Sequence, residues 1–186
     1  MHSLLNEKNM RPITVAITDT NRKKRRKLEQ FLQNDKQRLN VLSDKISNRN
    51  ERSCDRRLKP RDSVTFIEDS IARTKRLKPR VLLVGTQMFP DSVYNFLPEL
   101  RRECPDTLII ILTNDTTEEN KILDGLANGA RGFLNYGANL ISFSKAICAV
   151  QQGEAWVPRK MLKRIMERIL YANYHFSIGD ELDSSC

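Results

Sequence analysis

Histidine, cysteine and tryptophan are scarce, and long apolar runs are missing. The 186 residues include 2 histidines, 4 cysteines and 1 tryptophan. His2 and His175 stand near opposite ends, and Cys54, Cys104, Cys148 and Cys186 lie far apart with no CxxC spacing. A structural zinc site or a disulfide framework needs clustered ligands, and general acid–base chemistry draws most often on histidine. All three lose support. Cys148 falls on an apolar helical pattern and reads as a buried thiol. No stretch approaches the roughly 20 apolar residues of a bilayer helix. The opening MHSLLNEKNMRP carries charge where a secretory leader needs an apolar block, so a cytoplasmic location is expected. Acids are outnumbered as well: 32 Lys and Arg against 23 Asp and Glu give a net charge of +9. Such a balance favours acidic partners without saying which.

What is present is enough for one ordinary core. Apolar residues make up 39% and charged residues 30% of the chain, which fits a single domain with exposed tails. Ile13 to Thr18 is a β-branched run ending in Asp19-Thr20-Asn21, a strand followed by a helix cap. A helix should run from there to about Gln33, with Leu28, Phe31 and Leu32 at helical spacing. Leu39 to Ser43 reads as a short strand and Asp62 to Lys78 as a helix carrying Phe66, Ile67 and Ile71 on one side. Val81 to Val84 and Leu108 to Leu112 are wholly apolar, as central parallel strands buried on both faces should be. Between them Pro98 requires a third helix that begins late or is kinked. Thr116 to Asn128 is helical and closes on Gly129; Gly132 to Leu134 is a strand; Leu140 to Gln151 is a helix ending at Gly153. This alternation implies a doubly wound α/β fold with a five-stranded parallel sheet, whose function gathers at the carboxyl ends of the strands. Pro158 then opens a last helix with Met161, Leu162, Ile165, Met166 and Ile169 on an i, i+3, i+4 stripe.

The order of elements, and above all IIILTND, LANGARGFL and AICAVQQGEAWVPRKML between Leu108 and Leu162, resembles the receiver domain of response regulators, in the subgroup with NarL-type output domains. The resemblance spans roughly Ile13 to Ile169. It implies a CheY-like receiver over 12–157, an N-terminal tail over 1–11, a linker helix over 158–171, and a tail over 172–186. In this subgroup a DNA-reading helix-turn-helix follows the linker helix. SIGDELDSSC has no such pattern, so the expectation is a stand-alone receiver or a chain cut before its output domain.

A phosphorylatable receiver needs acids after the first strand for Mg²⁺, an aspartate after the third, a hydroxyl after the fourth and a lysine after the fifth. A hard cation needs carboxylates, and a phosphoryl group needs positive charge and a hydroxyl. By resemblance these positions fall here on Asp19 and Thr20, Gly85, Thr113 and Tyr136, with Phe133 at the family's mobile aromatic position. Gly85 has no side chain to esterify, and one carboxylate in place of three leaves Mg²⁺ little reason to bind. The expectation is a degenerate pocket with Tyr136 filling the space of lysine and phosphate, without metal or other cofactor. Plainer readings stay open: Asp19 as a helix cap, Thr113 as a strand-end hydroxyl, Phe133 as core packing.

Two basic segments stand out. Arg22, Lys23, Lys24, Arg25, Arg26 and Lys27 are consecutive, so they encircle the first helix, and spacing from Leu28 turns Lys24 or Arg25 inward. They oppose the helix dipole and repel one another at i, i+4, which hints at an acidic neighbour. A cation from Arg22 or Lys23 pairing with Asp19 is one candidate. Ser47 to Arg61, with Arg52, Arg56 and Arg57, reads as a flexible basic insertion lacking interleaved aromatics.

These readings converge on an interaction module rather than an enzyme, because the strand ends offer no nucleophile–base pair and no paired carboxylates. The expected partner is another protein or a second copy as a homodimer, through Ile122, Leu126 and Phe143 or through Ile165 and Ile169. Neither a membrane nor a small-molecule substrate is expected. The competing reading is a DNA-binding transcriptional regulator that uses the basic segments or a further output domain.

Overall fold

The computed structural model describes residues 11–19, 21–36, 38–43, 63–85, 93–114 and 119–167, with the side chains of 63–66 and 93–95 excepted. Strands and helices alternate as β1 (Ile13–Thr18), α1 (Arg22–Leu32), β2 (Leu39–Val41), α2 (Ser63–Leu77), β3 (Val81–Gly85), α3 (Val93–Glu103), β4 (Leu108–Thr113), α4 (Glu119–Ala127), β5 (Gly132–Asn135) and α5 (Leu140–Gln151). A further helix, α6, covers 159–167. All strand pairs are parallel and the sheet order is β2-β1-β3-β4-β5.

Strand pleating divides the core into two layers, because alternate residues of each strand face opposite sides. Leu82, Val84, Ile109 and Ile111 pack with Ile71, Phe96, Leu97, Leu100, Ile122 and Leu123 of α2, α3 and α4. Val81, Leu83, Ile110 and Leu112 pack with Leu28 and Leu32 of α1 and with Phe143, Ala146 and Ile147 of α5. Every residue of β3 is buried, which is why the strand reads as uninterrupted apolar sequence up to Gly85. Full burial of a side chain such as Phe96 or Phe143 stabilises the fold by about 1.5–3 kcal/mol.

Sequence expectations and structure agree on every described element, and differ in detail. β2 stops at Val41, two residues short of the expected Ser43. α3 runs through Pro98, which lies on the exposed side; the helix begins five residues before the proline rather than after it. Cys148 is half-buried, and the buried thiol is that of Cys104.

After α5 the chain returns along the free edge of β5. Trp156 and Gly132 form a parallel bridge, in which Phe133 N–H donates to the Trp156 carbonyl at 2.7 Å and Trp156 N–H to the Arg131 carbonyl at 3.0 Å. That short pairing satisfies an edge that would otherwise invite another strand. The chain then crosses to the α4 side. Met161 is fully buried there, Ile165 packs on the same core layer, and Lys160 and Arg164 both reach Glu119 in the first turn of α4, at 3.6 and 2.5 Å.

Of the interface candidates, Ile122 at 5% and Phe143 at 0% exposure belong to the core, while Leu126 and Ile165 pack against it half-buried. Among the described residues, the large apolar side chains left in solvent are Ile141, Leu162 and Met166. Half of the apolar stripe of α6 is thus turned inward and half outward. Ile169 lies outside the described residues.

Candidate functional site

The carboxyl ends of β1, β3, β4 and β5 converge on Asp19, Gly85, Thr113 and Tyr136. Asp19 directly follows β1 and is 2% exposed. Its Oδ1 accepts the Asn21 N–H at 2.7 Å, and the Asn21 side chain in turn accepts the Lys24 N–H at 3.0 Å as the N-cap of α1. A short polar residue at each of these positions satisfies backbone donors that the helix start leaves open.

The other oxygen of Asp19, Oδ2, accepts a hydrogen bond from the Tyr136 hydroxyl. Tyr136 follows β5, and its backbone N–H is fixed to the Thr113 carbonyl at 3.0 Å, which prolongs the β4–β5 pairing by one residue. Burial, and then the hydrogen bond and charge of Asp19, hold the phenol far above its ordinary pKa, so Tyr136 stays a neutral donor. Lys24 Nζ lies 5.2 Å from the centroid of the Tyr136 ring, within cation–π range. The basic run thereby sends one of its members onto the pocket. Lys24 and Arg25 are the two half-buried members of that run, as spacing from Leu28 predicts. For the candidate pairing of Arg22 or Lys23 with Asp19, the structure gives both carboxylate oxygens other partners, Asn21 and Tyr136.

Gly85 ends β3 directly beneath this pair. A Cβ built on it would lie 2.5 Å from Asp19 Oδ2 and 2.9 Å from Asp19 Cγ, and closer still to the Tyr136 hydroxyl. Contacts that short do not occur, so Gly85 is the only residue that fits without moving its neighbours. Thr113 is 7% exposed and its hydroxyl is 3.4 Å from the Leu134 carbonyl, a long bond directed into the sheet. Phe133 is buried under α4, where a Cβ on Gly125 would come within 2.5 Å of its Cζ. The small residue on the helix is what admits the ring.

Among the described residues the donor set does not suit Mg²⁺, which demands oxygen ligands in near-octahedral geometry. Asp19 is the one carboxylate at these strand ends among the described residues, and both of its oxygens already accept hydrogen bonds. Among the described residues no three His, Cys, Asp or Glu side chains come together as ligands.

The site has a support that sequence reasoning missed. Along β1 the odd residues face β2: Ile13 N–H donates to the Arg38 carbonyl and Val15 accepts from Leu42 N–H. β2 ends at Val41, two residues before it would reach the carbonyl of Ile17. Arg73 of α2 donates to that carbonyl from Nη1 at 2.7 Å, while its Nη2 lies 3.9 Å from Glu29 of α1. The guanidinium therefore holds the last turn of backbone before Asp19 between two helices. No sequence pattern marks this role, since Arg73 reads as one more cation on an amphipathic helix. Thr20, Arg52, Arg56, Arg57 and the whole 47–61 segment lie outside the described residues.

No family model matches the chain. A stretch of 87 residues is 36% identical to an uncharacterized transcriptional regulatory protein, YxjL, of Bacillus subtilis (strain 168), covering 47% of this chain and 39% of that protein. Among solved structures, a LuxR-family two-component response regulator from Aurantimonas sp. SI85-9A1 superposes with a TM-score of 0.61 at 11% identity, over 86% of this chain and 99% of the other. The isolated apo REC domain of RcsB from Salmonella enterica serovar Typhimurium gives 0.57 at 18% identity, over 83% and 98%. The receiver domain of the putative response regulator NarL from Mycobacterium tuberculosis gives 0.57 at 16%, over 78% and 100%. At these identities the shared property is the fold: a CheY-like α/β receiver. No helix among the described residues is long and apolar enough to cross a membrane.

Proposed function

We propose that this domain is a receiver-type regulator that works by contact with a protein partner and not by phosphoryl transfer at the end of β3. The observation that carries the reading is the hydrogen bond from Tyr136 to Asp19 across Gly85. In a receiver that accepts phosphate, this volume holds the acceptor carboxylate, the metal and a lysine. Here it holds a neutral phenol on the remaining carboxylate, and the third strand offers no atom to esterify. The names of the similar proteins, transcriptional regulatory protein and two-component response regulator, support a setting in two-component or transcriptional regulation. The partner is another protein or a second copy of this chain, and among the described residues the exposed large apolar side chains available to it are Ile141, Leu162 and Met166.

The test is incubation with acetyl phosphate and Mg²⁺ beside a phosphorylatable receiver, read by intact mass. The reading expects the control to gain a phosphoryl group and this chain to gain none. A base-labile mass increase mapped to an aspartate of this chain would overturn it. Self-association is read by sedimentation velocity against concentration. Leu162→Glu with Met166→Glu should weaken it if the second copy docks on α6.

A further inference from the structure

The outward face of α1 has no place in the reading above, and its charge is of one sign. Leu28 and Leu32 point into the core. Lys24 and Phe31 flank them towards Tyr136 and Phe143 of the β5–α5 side, and Arg25 and Glu29 flank them towards Arg73 of α2. The remaining face carries Arg22, Lys23, Arg26, Lys27 and Gln30, all exposed. Arg22 and Arg26 form one row, Lys23 and Lys27 a second, each with an axial spacing of about 6 Å at 1.5 Å per residue. No acid and no apolar residue interrupts them.

Local folding does not ask for this charge. The first turn of a helix favours acids, yet α1 has none there. Cations at i, i+4 repel one another. Burial, and then the neighbouring Arg73, hold the Arg25 guanidinium below its ordinary pKa, with Glu29 opposing; its Nε is buried without a hydrogen-bond partner. Positive charge is already in excess around this helix.

We infer that the Arg22–Lys27 face of α1 binds the phosphate backbone of duplex nucleic acid without reading its sequence. Two features choose this partner over an acidic protein and over a single strand. Protein interfaces have an apolar, often aromatic centre depleted in lysine, whereas phosphate contacts are made by Arg, Lys and small polar groups alone. The face has only the second composition. Single-strand sites add aromatic platforms for stacking, and the aromatics of α1 and its neighbour, Phe31 and Phe143, are turned into an edge-to-face pair 5.9 Å apart.

The experiment is fluorescence anisotropy of the full chain on a mixed-sequence DNA duplex across a salt series. The comparison is with a variant carrying Arg22→Gln, Lys23→Gln, Arg26→Gln and Lys27→Gln. Every other basic residue of the chain stays in place, and removing charge that opposes the dipole leaves α1 able to fold, which a circular-dichroism melt verifies. The variant should bind at least about tenfold more weakly at moderate salt, with a log–log salt slope shallower by roughly two to four. A control that removes the same charge elsewhere, with Arg102, Arg131, Arg159 and Lys163 changed to Gln, should keep most of the slope. An unchanged slope in the α1 variant would overturn the inference, as would an equal loss in the control. Polyglutamate or a single strand binding as tightly as the duplex would also overturn it.

Discussion

The two ends of the sheet make opposite use of similar material. At the carboxyl end Tyr136 donates to the buried Asp19 carboxylate beside Gly85, whose missing Cβ admits that contact. At the amino end, Thr14, Lys75, Lys78, Arg80, Glu103, Cys104, Asp106 and Thr107 surround an open depression of about 490 Å³. At its surface Lys75 Nζ lies 2.7 Å from Glu103. Doubly wound folds bind ligands at the carboxyl ends of their strands, where loops and helix N-termini converge. The filled end carries buried, directional contacts whose loss leaves unsatisfied groups, while the open end carries interactions that water replaces.

That contrast orders the consequences of mutation. The largest effect should come from Gly85→Asp. A new side chain would collide with Tyr136 and Asp19 and set a second carboxylate beside a buried one, for a loss of about 2–4 kcal/mol read from the urea midpoint. Adding Tyr136→Lys should recover part of it, by opening the space and supplying a cation. A Gly85→Asp protein as stable as wild type would show that the carboxyl end is not closed.

Next in size are the contacts that hold Asp19. Tyr136→Phe leaves Oδ2 of a buried carboxylate without its donor, and Arg73→Met leaves the Ile17 carbonyl open at the sheet edge. Each should cost about 1–3 kcal/mol. Tyr136 also gives the comparison a pH signature. Its folded pKa is raised above the unfolded value near 10, so its contribution is complete below about pH 10 and is lost as pH rises beyond that. The stability gap between wild type and Tyr136→Phe should therefore be flat to about pH 10 and then narrow. A gap that widens would assign the ionised phenolate to the folded state.

The amino end should respond least. Glu103→Gln breaks an exposed ion pair and should leave the urea midpoint unchanged. Lys78 adopts a positive φ of 45° where α2 ends, so Lys78→Gly should be neutral or stabilise by up to about 1 kcal/mol.

The sequence made legible whatever depends on periodicity. Uninterrupted Val and Ile in VLLVG and LIIILT marked buried central strands, and Leu28 with Leu32 oriented α1 well enough to turn Lys24 and Arg25 inward. The resemblance to receiver domains, and not periodicity, pointed to Asp19, Gly85, Thr113 and Tyr136, and parallel topology brings those strand ends together whatever the side chains are. Pairings between distant residues stayed hidden. The bond from Tyr136 to Asp19, the clasp of Arg73 on Ile17 and the bridge of Trp156 on the β5 edge each depend on where a strand happens to stop. Propensity resolves such boundaries poorly: β2 ended two residues early, and Arg73 occupies the gap. Ile122 and Phe143, read as interface candidates, lie in the core for a related reason. An apolar stripe tells which residues avoid water, but α6 buries Met161 and half-buries Ile165 on the α4 side and leaves Leu162 and Met166 outside, a division set by the return path of the chain.

The most direct measurement of the closed carboxyl end is an amide NMR titration with Mg²⁺ and beryllofluoride. The account predicts that the resonances of Asp19, Gly85, Thr113 and Tyr136 stay where they are at concentrations that saturate a phosphorylatable receiver. Saturable shifts centred on those four residues would mean that the phenol yields its place to metal and phosphoryl analogue, and would contradict it.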